Sequence, residues 1–333
     1  MKKALLALVG LAVVAVIGAL AVVKLGLLNP TLDELKAKYA SAPSDEFIVI
    51  DNVPLHVRDE GVRDGALPPL ILLNGHLGNL RMWDGWVPIL APAMRVIRFD
   101  VPPYGLSGPD PKGVYTSARA VELLEGLIAH YGFEKVNLGG TSNGALVAML
   151  YSIKHPERVG KLVLSTVPNG RPPAREASAE MAKASRFRSV LMPYQTKEFY
   201  NAFLRDVFAT PAPGPQEGRP PGADRVTPPL VDLYAEINNR RDAIGWVDSY
   251  IQSQYAFWDS TDVPALFAQV TTPTLLQWGD GGRVLPPAVG DTVRDLLKNA
   301  PLVMKRYGDA GHMPMLELPE PTANDAMAFL RND

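Results

Sequence analysis

The feature that most constrains the fold of this chain is a series of short apolar runs that alternate with helical patterns. Six such runs end in turn residues and cover residues 67–75, 94–100, 135–140, 161–167, 272–280 and 301–309. Segments between most of them, such as TSARAVELLEGLIAHYG and GALVAMLYSIKHPER, carry apolar residues at helical spacing. Strands that alternate with helices predict an α/β fold with a mainly parallel sheet covered on both faces.

Two stretches depart from this alternation. The segment FIVIDNVPLHVRDEG contains two short alternating runs around residues 52–54 and predicts a β-hairpin. From about residue 168 to residue 270 the pattern is helical, and residues 210–229 in its middle are dense in proline and glycine. We therefore predict one domain over residues 47–333, with an insertion over about residues 168–270 that caps the sheet and roofs an apolar pocket.

The first 28 residues differ sharply from the rest of the chain. Residues 4–23 carry no charge and are flanked by Lys2, Lys3 and Lys24. Twenty helical residues at about 1.5 Å each span about 30 Å, enough to cross a bilayer, whereas a cleaved signal peptide usually has a shorter apolar centre. A membrane anchor is therefore the favoured interpretation of residues 1–28. The polar, helix-prone residues 29–46 are predicted to link it to the domain.

The location of the domain depends on how this N-terminal segment is processed. Lys2 and Lys3 favour a cytoplasmic N-terminus, which would place the domain on the periplasmic or extracellular side of the membrane. The triplet Ala-Leu-Ala at residues 19–21 is an alternative cleavage site. Removal of residues 1–21 would give a secreted protein.

Composition narrows the range of partners. The formal net charge is −2, acidic and basic residues are mixed along the chain, and no run of lysine or arginine points to nucleic acid. The chain has no cysteine, which excludes disulfides, thiolate metal sites and cysteine nucleophiles. The predicted partners are a small-molecule substrate and the membrane, through residues 4–23, while protein partners are left open.

The strongest chemical signal is the segment Gly-Thr-Ser-Asn-Gly at residues 140–144. It stands where the predicted strand VNLG meets the predicted helix ALVAMLYSI. A nucleophile at the apex of a sharp strand-to-helix turn needs small residues two positions before and after it, because the backbone is strained and closely packed there. The helix N-terminus behind Ser142 also favours developing negative charge. Ser142 is therefore the predicted nucleophile.

A serine nucleophile needs a base to take its proton, and His312 is the best candidate. It lies in the loop of YGDAGHMPMLELPEP, after the last apolar run and before the final helix. His56 falls in the predicted hairpin, and His130 and His155 end helices, where a structural role is expected.

Acyl transfer also requires donors for the oxyanion, usually two backbone N–H groups. One is predicted to be the N–H of Asn143, directly after the nucleophile. The other is predicted in the loop NGHLGN that follows the run PLILLN, where the N–H of His76 is the natural donor and Gly75 permits the turn. His76 and Asn143 are thus the candidate oxyanion hole.

These stretches together resemble an α/β-hydrolase of the capped, lipase/esterase-like kind, from about residue 47 to the C-terminus. The resemblance is carried by LLNGHLGNLRMWDGW, FDVPPYGLSG, LGGTSNGALVAMLYSIKHPERVGKLVLS, TPTLLQWGDGGRVLPP and GHMPMLELPEP, in the order and spacing of that family. It implies a sheet of about eight strands, a nucleophilic Ser142, an oxyanion loop over residues 74–77 and a catalytic His312. It implies no metal or cofactor.

The chain departs from the family pattern at two places. Where the family often has His-Gly after its third strand, this chain has Asn74-Gly75, which leaves the backbone donor in place. The family's acid commonly follows the strand that matches TLLQWG, and alignment on the flanking glycine and proline puts Gly282 at that position. The only carboxylate in the loop, Asp280, is two residues early. The alternative acid position, at the end of the strand KLVLST, offers only Ser165, Thr166 and Asn169.

Three outcomes are open for the acid, which would hold the histidine tautomer and stabilise the imidazolium. Asp280 turns inward because Gly281 and Gly282 allow unusual backbone angles, another carboxylate substitutes, or a weaker Ser142–His312 dyad remains. We take Asp280 as the candidate third catalytic residue.

The predicted activity is that of a serine hydrolase, which cleaves a carboxylic ester or related acyl bond of a fairly apolar small molecule through an acyl-enzyme. The same scaffold also hydrolyses carbon–carbon bonds and supports cofactor-free peroxidation, and fold-level analogy cannot choose among these reactions. The glycine at the acid position keeps open a further alternative, a degenerate homologue that binds a ligand without turnover.

Overall fold

An eight-stranded sheet organises the chain in the computed structural model, which describes residues 2–171, 178–186, 191–192, 194–209, 225–243 and 245–332. The strands are β1 (Asp45–Ile50), β2 (Val53–Gly61), β3 (Leu70–Leu73), β4 (Arg95–Phe99), β5 (Val136–Thr141), β6 (Val159–Ser165), β7 (Thr274–Gly279) and β8 (Leu302–Tyr307). They are ordered β1-β2-β4-β3-β5-β6-β7-β8 across the sheet. β2 pairs antiparallel with β1 and β4, and the other neighbours pair parallel. This confirms the predicted α/β fold.

The predicted hairpin forms β1 and β2 at one edge of the sheet. Its two-residue turn places Asp51 at φ 47° and Asn52 at φ 64°. Two-residue hairpin turns whose twist matches the strands require positive φ, and Asn and Asp tolerate it better than other side chains. The turn residues therefore suit the register in which Ile50 faces Val53.

Helices cover both faces of the sheet and close two separate apolar cores. Leu70 and Leu72 of β3 pack in one cluster, and Ile71 and Leu73 pack in the other. This alternation follows from the two-residue period of a strand, and the strand reads as a continuous apolar run because both faces are buried. The covering helices are α3 (Val87–Leu90), α4 (Ser117–His130), α5 (Asn143–Lys154), α11 (Pro287–Leu296), α12 (Pro314–Glu317) and α13 (Pro319–Arg331).

The stretch between β6 and β7, residues 166–273, is called the cap here. Its helices in the described ranges are α6 (Ala179–Ala184), α7 (Lys197–Val207), α8 (Pro228–Asn238), α9 (Trp246–Asp259) and α10 (Val263–Phe267). The proline- and glycine-rich loop predicted over residues 210–229 lies outside the described residues as far as residue 224.

The N-terminal helix α1 (Lys2–Lys24) is exposed along almost its whole length. Its 20 residues Leu5–Lys24 have a mean hydropathy of 3.0, so length and composition would let it cross a membrane, and a signal sequence would have the same properties. The structure therefore supports an apolar N-terminal helix that could be an anchor or a signal sequence.

The segment predicted as a linker is largely structured and contacts the cap. Helix α2 (Leu32–Tyr39) begins with a capping box between Thr31 and Glu34. Arg241 of the cap donates its backbone N–H to the carbonyl of Pro30 at 2.9 Å and its Nε to the carbonyl of Gly26 at 3.0 Å. The turn that follows α1 is therefore bonded to the cap, and the helix-prone segment contains the short helix α2.

Candidate active site

Ser142 lies at the end of β5, directly before α5, with φ 51° and ψ −123°. Only close packing around it holds a non-glycine residue in this strained region. A Cβ on Gly140 would lie 2.5 Å from the carbonyl carbon of Gly144, and one on Gly144 would lie 2.5 Å from the carbonyl oxygen of Asn74. Both flanking glycines are thus required by space, as the turn motif predicts.

His312 lies in the loop after β8, and its backbone is bonded on both sides. Its N–H donates to the carbonyl of Val207 at the end of α7 at 2.7 Å, and its carbonyl accepts from Thr166 Oγ1 at 2.9 Å. The residue is 8% exposed. The loop therefore presents His312 from a fixed backbone, held by the cap and by the residue that follows β6.

Ser142, His312, Asn143 and His76 line one cavity of about 250 Å³ between the sheet and the cap. The remainder of its lining is mainly apolar and includes Met82, Phe203, Val207, Ile251, Trp258, Val284, Leu285 and Met313. The carboxyl ends of parallel strands meet at one edge of a sheet, which is why residues after β3, β5 and β8 converge there. The structure therefore brings four of the five predicted site residues together.

The loop after β3 is held by the side chain of Asn74. Its Oδ1 accepts from the N–H of Val101 at 2.8 Å, and its Nδ2 donates to the carbonyls of Gly75 and Gly78, both at 3.1 Å. Leu77 in this loop has φ 54°, a conformation that costs energy for a leucine. Asn74, where the related pattern often has histidine, therefore fixes the loop through its amide group.

The same loop lies directly against the nucleophile. A Cβ on Gly75 would lie 3.0 Å from the Cβ of Ser142 and 2.9 Å from the carbonyl oxygen of Thr141. The next residue, His76, has its Nδ1 2.6 Å from the hydroxyl of Tyr104, and its ring faces the cavity. The backbone at residues 75–76 is thus close enough to the strand-to-helix turn at Ser142, called the elbow here, to supply an oxyanion donor beside Asn143 N–H.

A buried charge cluster beneath this loop was not predicted from the sequence. The carboxylate of Asp100 accepts from the N–H groups of Leu80 at 2.6 Å and Leu106 at 2.7 Å. Its Oδ2 also lies 2.7 Å from Nδ1 of His56, and Asp45 Oδ1 lies 2.8 Å from Nε2 of the same ring. Burial opposes the charge of His56, but the carboxylates of Asp100 and Asp45 outweigh it and raise the pKa of the imidazole.

The fifth predicted site residue, Asp280, does not lie with the others. Its N–H donates to the carbonyl of Tyr307, so the chain still follows the edge of β8 at this point. Its carboxylate is bonded to Nε of Arg306 at 2.9 and 3.1 Å, and its side chain is 31% exposed. The expectation that Asp280 turns inward needs correction, because Arg306 of the neighbouring strand holds the carboxylate at the surface.

The two glycines after Asp280 have a different role from the one expected. Neither has a positive φ, so they are not used for unusual backbone angles. A Cβ on Gly281 would lie 2.8 Å from Cβ of Ala209, and one on Gly282 would lie 3.4 Å from the backbone nitrogen of His312. Close packing against the cap and the histidine loop explains them, and position 282 is indeed adjacent to His312.

Two further residues beside His312 were not assigned a role from the sequence. The hydroxyl of Thr166, the residue that follows β6, donates to the carbonyl of His312. Glu317 is buried, and its carboxylate accepts from the N–H groups on both sides of His312. The one sequence signal for the contact of Glu317 with the histidine loop is its position five residues after His312, in HMPMLE. Among the described residues, no group of three or more His, Asp or Glu side chains is arranged to hold a metal ion.

Comparison with known families identifies the family to which this fold belongs. A family model described as the alpha/beta hydrolase fold matches residues 68–319, which span β3 to the start of α13. The match covers every strand after the N-terminal hairpin and the whole cap.

Individual relatives include two kinds of hydrolase. Lipase 3 of Moraxella sp. (strain TA144) is 25% identical over 78% of this chain and 76% of its own length. A 2-hydroxy-6-oxononadienedioate/2-hydroxy-6-oxononatrienedioate hydrolase of Pseudomonas putida is 26% identical over 84% of this chain and 93% of its own. The crystal structure of a membrane phospholipase A, described as a bacterial virulence factor, superposes with a TM-score of 0.68 at 26% identity and covers 100% of both chains.

Proposed function

The chain belongs to the alpha/beta hydrolase fold family and is a hydrolase, and on this premise we propose that it cleaves carboxylic esters by a serine mechanism. One observation carries the proposal: Ser142 is held at φ 51° on a strand-to-helix turn and shares a mainly apolar cavity with His312 and the loop at residues 75–76. A strained serine at the N-terminus of a helix is the arrangement that exposes a nucleophile.

In this mechanism Ser142 Oγ attacks the carbonyl carbon of the bound ester. His312 accepts the serine proton and then donates it to the departing alcohol, which leaves an acyl group on Ser142. The N–H groups of Asn143 and His76 stabilise the oxyanion, aided by the N-terminus of α5. Water activated by His312 then hydrolyses the acyl-enzyme.

The cavity supports an acyl group of apolar character as the recognised part of the substrate. Its lining contributes aliphatic, methionine and aromatic side chains, with few polar groups apart from the reacting ones. A lipase and a membrane phospholipase A are among the proteins most similar to this chain. We therefore assign as substrate a lipid-like ester with an acyl chain that fills the space beneath α9.

The same proposal includes retention of α1 as a membrane anchor. The helix is exposed, uncharged along residues 4–23 and flanked by lysines, and the similar membrane phospholipase A covers the chain over its full length. Lys2 and Lys3 favour the N-terminus inside and the domain on the extracytoplasmic side. The alternative is removal of residues 1–21, which releases the domain.

A second candidate is hydrolysis of a carbon–carbon bond. The relative from Pseudomonas putida has a name that describes a dienedioate hydrolase, and it aligns with most of this chain. A pair formed by Ser142 and His312 suits that chemistry as well. Such substrates carry carboxylates, whereas the lining of this cavity is mainly apolar, and we therefore rank the ester first.

The test uses a fluorophosphonate probe and p-nitrophenyl esters of increasing acyl length. Wild type is expected to become labelled and to hydrolyse the esters, whereas Ser142→Ala is not labelled and His312→Ala loses turnover by several orders of magnitude. Ser249→Ala, a change at an exposed serine of α9, serves as the matched control and keeps both activities. Equal labelling of wild type and Ser142→Ala would overturn the assignment. Turnover of a 2-hydroxy-6-oxodienoate but of no ester would favour the second candidate.

A further inference from the structure

Glu317 ends the short helix α12 and lies completely buried behind the histidine loop. Its Oε1 accepts from the N–H of Gly311 at 2.8 Å and from the N–H of Met313 at 3.3 Å. These two residues are the neighbours of His312 on either side. One carboxylate oxygen therefore determines where the backbone on both sides of the histidine lies.

The second oxygen of the same carboxylate reaches the cap. Oε2 accepts from the N–H of Ala209 at 2.8 Å, two residues after the end of α7. It also lies 3.7 Å from Nη1 of Arg225, which donates in turn to the carbonyl of Asp309 at 2.7 Å. Glu317 thus contacts the cap at two points that are close to the histidine loop.

From these contacts we propose that Glu317 is a positioning residue, which sets the orientation of His312 toward Ser142 and couples it to the position of the cap. This inference rests on the proposed function, in which His312 is the base. Glu317 is not itself part of the cavity lining, so it acts on His312 through the backbone of residues 311–313.

The close approach of the cap to this loop supports the coupling. A Cβ on Gly311 would lie 2.5 Å from the backbone nitrogen of Ala209 and 2.7 Å from the carbonyl oxygen of Val207. That carbonyl accepts the N–H of His312. The end of α7 and the histidine loop are therefore packed backbone to backbone, and Glu317 is the side chain that bonds both. A shift of the cap therefore moves the backbone to which His312 is bonded.

The experiment compares steady-state hydrolysis of a short p-nitrophenyl ester by wild type and Glu317→Gln. Burial raises the pKa of Glu317 to about 7, so the carboxyl is already partly uncharged near neutral pH and an uncharged amide is a mild change. Arg225 keeps its bond to the carbonyl of Asp309, and the variant is expected to fold. In Glu317→Gln one carboxylate oxygen is replaced by an NH₂ group, which cannot accept a hydrogen bond. At least one of the bonds from the backbone N–H groups is therefore lost. We expect kcat to fall by about 10- to 100-fold with KM changed less than about twofold, since small misplacements of a catalytic group have effects of this size.

Two controls separate positioning from general loss of stability. Glu320→Gln makes the same chemical change at an exposed site three residues further along and leaves kcat unchanged. Val293→Ala removes buried volume in α11, lowers the melting temperature and leaves kcat unchanged below that temperature. If Glu317→Gln does not fold, Glu317→Asp is used. The aspartate keeps the carboxylate, but its side chain is too short to accept from all three N–H groups. Its kcat is expected to be intermediate between those of wild type and His312→Ala.

The outcomes distinguish this inference from the proposed function. If wild type is active, His312→Ala is inactive and Glu317→Gln or Glu317→Asp retains wild-type kcat, the positioning role is overturned and the serine mechanism is retained. A fall in kcat that is accompanied by an equal rise in KM also overturns it. So does a fall in kcat no larger than that of Val293→Ala, when each variant is assayed at the same number of degrees below its melting temperature. If wild type and His312→Ala behave alike, the proposed function fails and this inference fails with it.

Discussion

The two sides of the candidate site are built in different ways. On the elbow side, residues 74–80, 100–107 and 140–144, the backbone is held chiefly by buried side chains of the sheet domain, above all Asn74 and Asp100. The cap adds bonds from Asn238 to the carbonyl of Leu77 and from Arg240 to the carbonyls of Gly105 and Ser107. On the histidine side, residues 279–286 and 309–317, the histidine loop is held by the main-chain bond from His312 to Val207 of the cap, by the hydroxyl of Thr166 and by Glu317. The carboxylate expected on this side, that of Asp280, is at the surface.

This difference assigns separate demands to the two sides. An oxyanion hole must be rigid before substrate arrives, because its value comes from donors that do not reorganise. The buried side chains of Asn74 and Asp100 provide that rigidity through short hydrogen bonds to the backbone. The base must move a proton between two partners, and here its loop is joined to the segment that covers the pocket. We therefore expect the elbow side to determine stability and the histidine side to respond to the cap.

The largest effect is expected for Asp100→Asn on the elbow side. The substitution leaves His56 beside an uncharged group and gives Leu80 or Leu106 a mismatched partner. Removal of one partner of a buried pair typically costs about 3–5 kcal/mol in the free energy of unfolding. We expect a loss of about 3 kcal/mol in denaturant unfolding, together with a decrease of ester hydrolysis that exceeds the unfolded fraction.

The matched control for that prediction is Asp64→Asn, at an exposed aspartate after β2. Its free energy of unfolding is expected to stay within about 0.5 kcal/mol of wild type, as is usual for surface positions. A similar small change in Asp100→Asn would show that the oxyanion loop does not depend on the buried charge cluster.

A smaller effect is expected from the titration of His56. Its pKa is raised in the folded chain, chiefly by Asp100 once burial is overcome, so the folded state binds the proton more tightly than the unfolded state. The stabilisation is complete below the ordinary histidine pKa of about 6.5 and is lost as pH rises through the raised folded value. Unfolding at a series of pH values should show wild type losing this part of its stability above about pH 6.5.

The variant His56→Gln provides the reference for that measurement. It has no titrating group at this position, so the difference in unfolding free energy between wild type and variant should narrow as pH rises. A difference that is constant across the range would mean that folding does not shift the pKa of His56, and a difference that widens as pH rises would mean that the imidazole is held neutral. Measurement of the difference also removes the contribution of Glu317, which titrates in both proteins.

The elbow side was largely predictable from the sequence, whereas the histidine side was only partly so. The strand and helix around Ser142 and its flanking glycines form a local pattern, because the constraint on space acts between neighbours in the chain. Asp100 and Glu317 contact residues that the tertiary fold brings to them. No local sequence pattern predicts which backbone N–H groups a buried carboxylate will accept from. The loop that the sequence proposes for an acid does lie beside His312 at position 282, but its single carboxylate, that of Asp280, is bonded to Arg306 on the adjacent strand.

The smallest effect is expected for Asp280, and it is the sharpest test of the contrast between the two sides. An exposed ion pair such as that with Arg306 contributes about 0.2–1 kcal/mol, while loss of a triad acid lowers the rate by about 10⁴-fold. We expect Asp280→Asn to keep kcat for a short p-nitrophenyl ester within about threefold of wild type. Arg306→Gln removes the same ion pair from its other end, together with the pair between Arg306 and Asp291, and should also keep kcat within about threefold of wild type. A fall of about 100-fold or more in Asp280→Asn alone, with the fold intact, would mean that the carboxylate leaves Arg306 during catalysis and reaches His312. The histidine side would then contain its own acid, and the dependence on Glu317 and the cap would be correspondingly weaker.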